Sequence, residues 1–376
     1  MASSTDSDAT RSRSPFARAA IVGLVGMLVA AALVVNVIAA ANPRAGEGRV
    51  PFVTIYSGHR DHIDAVLVSG DGQAFAAIAQ DPLLSRPELV PGHGEFAYRA
   101  QRPLWGYLAW GLSGGQASLV GWVLAIMTVF AAGLCVGAIS LLLMQRGQSP
   151  WWSLAVLAAG MESLSQLTPE LLALGFVAFA LWLPSRRRGW AIACCCAAAM
   201  TRETMLVAVG AWALYEFVQA SGPFRARVRA SAPFTIPFVV FAAWVVFLRA
   251  HVGTWVWDQP HDRATAPLVG VLDAFNPISG RITIGVGIAL ALCGLCLWLA
   301  RRDVLTWIAI AFALFATTFA AQVWTGAGYE RTLLPLYVFG GIAALTGLRR
   351  HEGARTAAHT VESTPPVPPP VLTRAG

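Results

Sequence analysis

The sequence predicts an all-α polytopic membrane protein, and three observations carry that prediction. Of 376 residues, 56% are hydrophobic and only 12% are charged, about half the charged fraction of an ordinary soluble domain. Apolar runs recur at lengths of roughly 16 to 28 residues, suited to helices that enter or cross a bilayer. Between those runs, arginines collect in alternate connectors.

Taken in order, residues 1–18 are rich in Ser, Asp and Arg and are expected to be a disordered cytoplasmic N-terminus. The first apolar helix is expected over 19–41, after Arg11, Arg13 and Arg18. It is too long for a signal-peptide core and reads as a retained signal-anchor. A long extracytoplasmic loop over 42–116 follows. Its segment PLWGYLAWGLSGG (103–115) is too short to cross alone, and Trp105, Tyr107 and Trp110 suit an interfacial or re-entrant helix. Further apolar runs lie near 117–144, 151–167, 168–183, 190–203, 204–220, 233–250, 281–300, 304–324 and 331–348. With the first helix they make about ten transmembrane helices in a domain over 19–348. The runs at 168–183 and 190–203 are short, as expected of helices that stop at an internal cavity. Residues 349–376 end in ESTPPVPPPVLTRAG and are expected to be a disordered, proline-rich cytoplasmic tail.

Arginine placement sets the expected orientation. Arg146, Arg186 to Arg188, Arg225/Arg227/Arg229, Arg301/Arg302 and Arg349/Arg350 all fall on one side, which the positive-inside rule makes cytoplasmic. Both termini are then cytoplasmic, in the inner (plasma) membrane. The net charge of +7 is accounted for by this topology, so the expected partner is the lipid bilayer and not nucleic acid. The cysteines, Cys293 and Cys296 among them, lie inside apolar runs and are read as packing residues.

Chemistry concentrates between Ser69 and Pro103. Asp71 stands between Gly70 and Gly72, with a helix-compatible stretch from Gln73 to Ala79 after it and Asp81-Pro82 to close that helix. Asp71 is therefore either a plain helix cap or a ligand-facing carboxylate. Arg99 and Arg102 would share one helix face and suit a phosphate or diphosphate headgroup. The run GHRDHID offers His59, Asp61, His62 and Asp64 as metal ligands, although such a run is more often a solvated loop. Further along, Glu162, Thr168-Pro169-Glu170, Thr201-Arg202-Glu203-Thr204 and Glu330/Arg331 interrupt apolar sequence at ends that parity places on the outer side. A charge facing hydrocarbon costs roughly 2.5–3.5 kcal/mol. Convergence of these groups therefore predicts an outward-facing cavity lined by acids and arginines, with a structural ion pair as the plainer alternative.

Five short motifs in series, GDGQAF (Gly70–Phe75), AQDP (Ala79–Pro82), YRAQRPL (Tyr98–Leu104), MTRET (Met200–Thr204) and RTLLP (Arg331–Pro335), carry a resemblance. In order and topology the chain resembles the GT-C membrane glycosyltransferases, more narrowly bacterial multispanning proteins associated with cell-surface glycopolymer formation. Gly70 departs from that pattern, standing where an aromatic is usual. The resemblance implies a polyprenyl-phosphate-linked sugar donor, a cell-envelope acceptor, Asp71 as general base and inversion at the sugar. Gln73, Asp81, Arg99, Arg102, Arg202, Glu203 and Arg331 are the expected substrate-binding residues. No metal site and no cofactor is assigned, and the chemistry admits a divalent cation without requiring one. Two rival expectations are a lipid-linked sugar transporter or flippase, and a non-catalytic membrane assembly protein that keeps the scaffold.

Overall fold

The computed structural model describes residues 14–41, 62–68, 70–86, 96–258, 266–274, 280–319, 323–324 and 328–362. Every regular element in it is a helix. The helices are α1 (Pro15–Ala40), α2 (His62–Val68), α3 (Gly72–Gln80), α4 (Phe96–Ala100), α5 (Pro103–Ser113), α6 (Ala117–Gln145), α7 (Ala155–Ala159), α8 (Met161–Ser165), α9 (Glu170–Trp182), α10 (Arg188–Thr201), α11 (Met205–Gln219), α12 (Phe224–Ser231), α13 (Ile236–Val252), α14 (Val269–Ala274), α15 (Gly280–Ala300), α16 (Val304–Ala316) and α17 (Gly328–Glu362).

Among the described residues, four helical stretches are long and apolar enough to cross a membrane: Pro15–Ala40, Ala117–Gln145, Phe224–Val252 and Arg331–Glu352. Shorter apolar helices, α9, α11 and α16 among them, fill the bundle between them. The protein is thus an all-α membrane protein.

Local chemistry explains where the helices begin and end. Ser14 caps α1, accepting from the Ala17 amide at 3.3 Å with Pro15 following. The helix therefore starts inside the stretch expected to be disordered, and 15–18 are corrected to helix. At the other terminus α17 runs on to Glu362, past the expected boundary at 349, because no proline interrupts the chain between Pro335 and Pro365. Within the run expected over 304–324, α16 ends at Ala316, where the Thr317 and Thr318 hydroxyls bond the Leu314 and Phe315 carbonyls at 2.7 Å.

The scaffold is set by close helix contacts through small residues. α1 lies along α6, and a Cβ on Gly23 would stand 2.9 Å from the Gly133 carbonyl oxygen. Where lipid removes the hydrophobic drive between helices, such backbone approach supplies the packing. α9 meets α6 where Gly175 approaches the Cys135 backbone. Over one end of this frame sit α2 to α5. α3 is buried from Gly72 to Ala79 apart from Gln73. The expected interfacial helix is α5, which buries Trp105 and leaves Trp110 and Leu112 exposed.

Candidate functional site

Seven charged side chains from five separate segments meet beneath α3 to α5. Asp71 lies at the centre. Its Oδ1 accepts from Arg99 at 2.5 Å and its Oδ2 from Arg331 at 2.9 Å. Arg331 also faces Glu170 at 3.7 Å, and Glu170 faces Arg202 at 3.3 Å. Next to Arg202, Glu203 holds Arg102 by two bonds, Nε to Oε2 at 2.5 Å and NH2 to Oε1 at 2.6 Å. Among the described residues, four arginines face three carboxylates.

The cluster has an open rim and a sealed floor. Side chains of Asp71, Glu203 and Arg99 are 22%, 19% and 15% exposed, whereas Arg102 is 3% and Glu170 1% exposed. On the floor, Arg331 Nε and NH1, Arg202 Nε and Glu170 Oε1 have no hydrogen-bond partner among the described residues. Buried guanidinium donors left in that state favour an incoming anion with several oxygens.

Each segment reaches the cluster for a local reason. Asp71 stands at the N-cap position of α3, yet its side chain makes no cap hydrogen bond, so the plain-cap reading gives way to an ion-paired carboxylate. Its backbone is held by Gln166, whose Oε1 accepts from the Asp71 amide at 3.3 Å. The two flanking glycines are there for the same contact. A Cβ on Gly70 would meet the Gln166 side chain at 2.8 Å, and one on Gly72 its carbonyl oxygen at 2.5 Å. Gln166 is itself fixed by a short hydrogen bond to Glu162.

Arg99 and Arg102 do not share a helix face. The chain leaves α4 at Ala100, and Pro103 opens α5. A residue before proline is pushed out of the helical region, and Arg102 accordingly has φ −112° and ψ 65°. The two guanidinium groups pass near the Tyr98 ring, at 5.7 and 5.1 Å from its centroid, and go to different acids. Arg102 also donates to the Tyr98 hydroxyl at 3.0 Å.

Glu170 enters through a strained turn. Leu167 has φ +55°, uncommon for a bulky residue, and its carbonyl accepts the Trp105 indole N–H at 3.2 Å. Ser163 then donates to the Thr168 carbonyl at 2.9 Å and to Glu170 Oε2 at 3.0 Å. Sequence reading put Glu170 among the converging outer groups but not among the substrate-binding residues, and it missed the supporting roles of Gln166 and Ser163. An acid directly after proline at the head of an apolar run was the available signal for Glu170.

Other expected residues lie outside the cluster. Asp81 closes its own loop, accepting from the Ser85 hydroxyl at 2.8 Å and the Arg86 amide at 2.5 Å. Gln73 is half-buried in the first turn of α3. Of the proposed metal ligands, His59 and Asp61 lie outside the described residues. The His62 ring meets the Ala41 carbonyl at 2.8 Å, and no metal-binding group of three occurs among the described residues. Cys296 donates to the Gly340 carbonyl at 3.1 Å, and Cys293 and Cys296 are both free thiols.

Burial pushes the Asp71 pKa up, but Arg99 and Arg331, with Arg102 and Arg202 behind them, outweigh it and hold the carboxyl well below the usual carboxylate range. The site therefore contains a firmly ionised carboxylate among cations.

Helix heights place the cluster along the bundle. Glu170 lies about 8 Å before the Gly175–Cys135 contact, level with about Phe130 on α6. Independently, Gln148 bonds the Leu345 carbonyl, and Arg331 lies about 21 Å back along α17 from there. The two counts set the cluster about 21–24 Å from the Arg146 end.

No family model, curated protein or solved structure matches the chain. Its chemistry is read from its own residues.

Proposed function

We propose that the protein is a GT-C-like membrane glycosyltransferase that transfers a sugar from a polyprenyl-phosphate-linked donor to a cell-envelope acceptor on the outer face. One observation carries this reading: a carboxylate and an arginine cluster with unpartnered buried donors occupy the same site, at the rim of a membrane bundle.

The bilayer geometry supports it. With the cytoplasmic surface at Arg146 and Arg349, a cluster about 21–24 Å away falls within a hydrocarbon layer about 30 Å thick, in its outer third. Lipid phosphates lie just beyond the outer boundary of that layer, so the donor headgroup reaches the arginines by moving inward past α3 to α5. The ten-span count and the cytoplasmic termini belong to this proposal, since they set which face is outer.

The residues divide the work. Arg99, Arg202 and Arg331 receive the donor phosphate and stabilise the charge that builds on it. Arg102, bound twice by Glu203, keeps the α10–α11 turn against α4. The acceptor hydroxyl oxygen attacks the anomeric carbon from the face opposite the phosphate. The carbon–oxygen bond to phosphate breaks, its electron pair leaves with the polyprenyl phosphate, and the hydroxyl proton passes to Asp71. The product is inverted.

The test is transfer of labelled sugar from a polyprenyl-phosphate-linked donor pool in membranes. Asp71→Asn is expected to lower transfer by roughly a hundredfold or more with the protein still inserted. Wild-type transfer by that variant would remove Asp71 as base.

A second reading, movement of a lipid-linked sugar, is favoured by α9 and α10, short helices that each have one end at the charged cluster. Under that reading no sugar is transferred by any variant, and substitution of Arg202 or Arg331 still abolishes donor binding.

A further inference from the structure

We propose that Asp71 and the donor phosphate compete for the guanidinium groups of Arg99 and Arg331, so that the carboxylate is freed to act only when the donor is seated. The inference rests on the phosphate-binding reading above and adds how the site is switched on.

Both Asp71 oxygens are occupied, one by Arg99 at 2.5 Å and the other by Arg331 at 2.9 Å. An acceptor hydroxyl approaching that carboxylate meets guanidinium groups where its proton has to go. The clamp spans two distant elements, α4 and α17, joined here through one side chain. Arg331 meanwhile keeps Nε and NH1 without a hydrogen-bond partner among the described residues. A phosphate seated here accepts from these Arg331 donors as well as from the one that Asp71 uses.

Pairing and exposure name the acid that yields. An arriving phosphate takes guanidinium donors from a carboxylate, and the carboxylate held least firmly gives way. Glu170 is 1% exposed and sealed between Arg202 and Arg331. Glu203 is chelated by Arg102, itself 3% exposed. Asp71 is the most exposed of the three at 22%, and its side chain turns toward the rim while Gln166 keeps its backbone in place. Donor binding thereby converts a clamped anion into an available proton acceptor, and the empty enzyme is silent toward acceptor alone.

The experiment is titration of the full-length protein, in detergent micelles, with a polyprenyl monophosphate, read as a dissociation constant without any transfer assay. If the clamp is closed about nine-tenths of the time, it weakens binding about tenfold. Asp71→Asn and Asp71→Ser, which remove the competitor in two sizes, are each expected to bind about tenfold tighter than wild type. Asp71→Glu, which keeps a carboxylate, is expected to bind as wild type does. Two substitutions guard against a folding defect in either one. Equal or weaker binding by both neutral variants would overturn the exchange while leaving phosphate recognition intact. No binding by wild type or any variant would overturn the phosphate reading beneath it.

Discussion

The two ends of the bundle both carry arginine and use it in opposite ways. At the Arg146 end, Arg186, Arg187, Arg225, Arg227, Arg229, Arg301, Arg302, Arg349 and Arg350 are exposed, and their charge is met by solvent or lipid headgroups. One buried acid, Asp303, pairs with Arg146 while capping α16 through the Leu305 amide at 2.9 Å. At the other end, Arg102, Arg202 and Arg331 are buried and every charge is within reach of an opposite one. Exposed arginines orient a membrane protein and tolerate replacement. Buried ones persist only with partners, and each partner removed leaves an uncompensated charge.

The largest expected effect follows from that difference. Glu170→Ala strands Arg202 and faces Arg331 with one acid fewer, and is expected to destabilise the fold by about 3–5 kcal/mol. Asp303→Ala removes a cap and one ion pair, and is expected to cost about 1–2 kcal/mol. Arg227→Ala, on exposed α12, is expected to stay within about 0.5 kcal/mol of wild type. Denaturant or thermal unfolding in one detergent ranks the three. A Glu170 variant as stable as the Arg227 variant would erase the distinction between the two ends.

Much of this contrast was legible from residue order alone. The alternation of arginine-rich connectors placed Asp71, Arg99, Arg202, Glu203 and Arg331 on one side before any coordinates, because helices that cross in turn return alternate connectors to the same face. The pairing within the cluster was not legible. Pro103 broke the helix that was to align Arg99 with Arg102, and the partners then chosen, Asp71 and Glu203, are distant in sequence. Gln166 and Ser163 have no pattern to betray them, since a small polar residue near a helix end is common anywhere. Their roles come from where Leu167 turns the chain. The spans were similarly half-legible: hydropathy located the apolar runs but not the breaks near Gly160 and at Thr317 that shorten them.

Glycine sharpens the comparison at intermediate scale. Gly72→Ala would put a Cβ 2.5 Å from a backbone oxygen of Gln166, which cannot rotate away as a side chain end would. A loss of about 1–3 kcal/mol is expected from overpacking, along with displacement of Asp71. Gly189, in the first turn of α10 at the opposite end, has nothing within 4 Å of an added Cβ. Gly189→Ala is therefore expected to be neutral or to stabilise by about 0.4–1 kcal/mol. Paired melting curves check both, and a tolerant Gly72 would mean that the turn carrying Asp71 is not packed on Gln166.

The smallest effect, and the most specific to the clamp, is in pH. Asp71 has a folded-state pKa below its unfolded value, which lies near 3.9 for a free aspartate. A depressed acid contributes stability that is fully present above the unfolded pKa and is lost as pH falls through the folded one. The stability difference between wild type and Asp71→Asn is therefore expected to be flat from pH 8 to about 4 and to shrink only below that. Exposed acids titrate with little difference between the folded and unfolded chain, so they add no such window. If the difference already narrows between pH 8 and 6, the carboxylate is not held ionised by Arg99 and Arg331. The end of the bundle that buries its arginines would then be no more tightly paired than the end that exposes them.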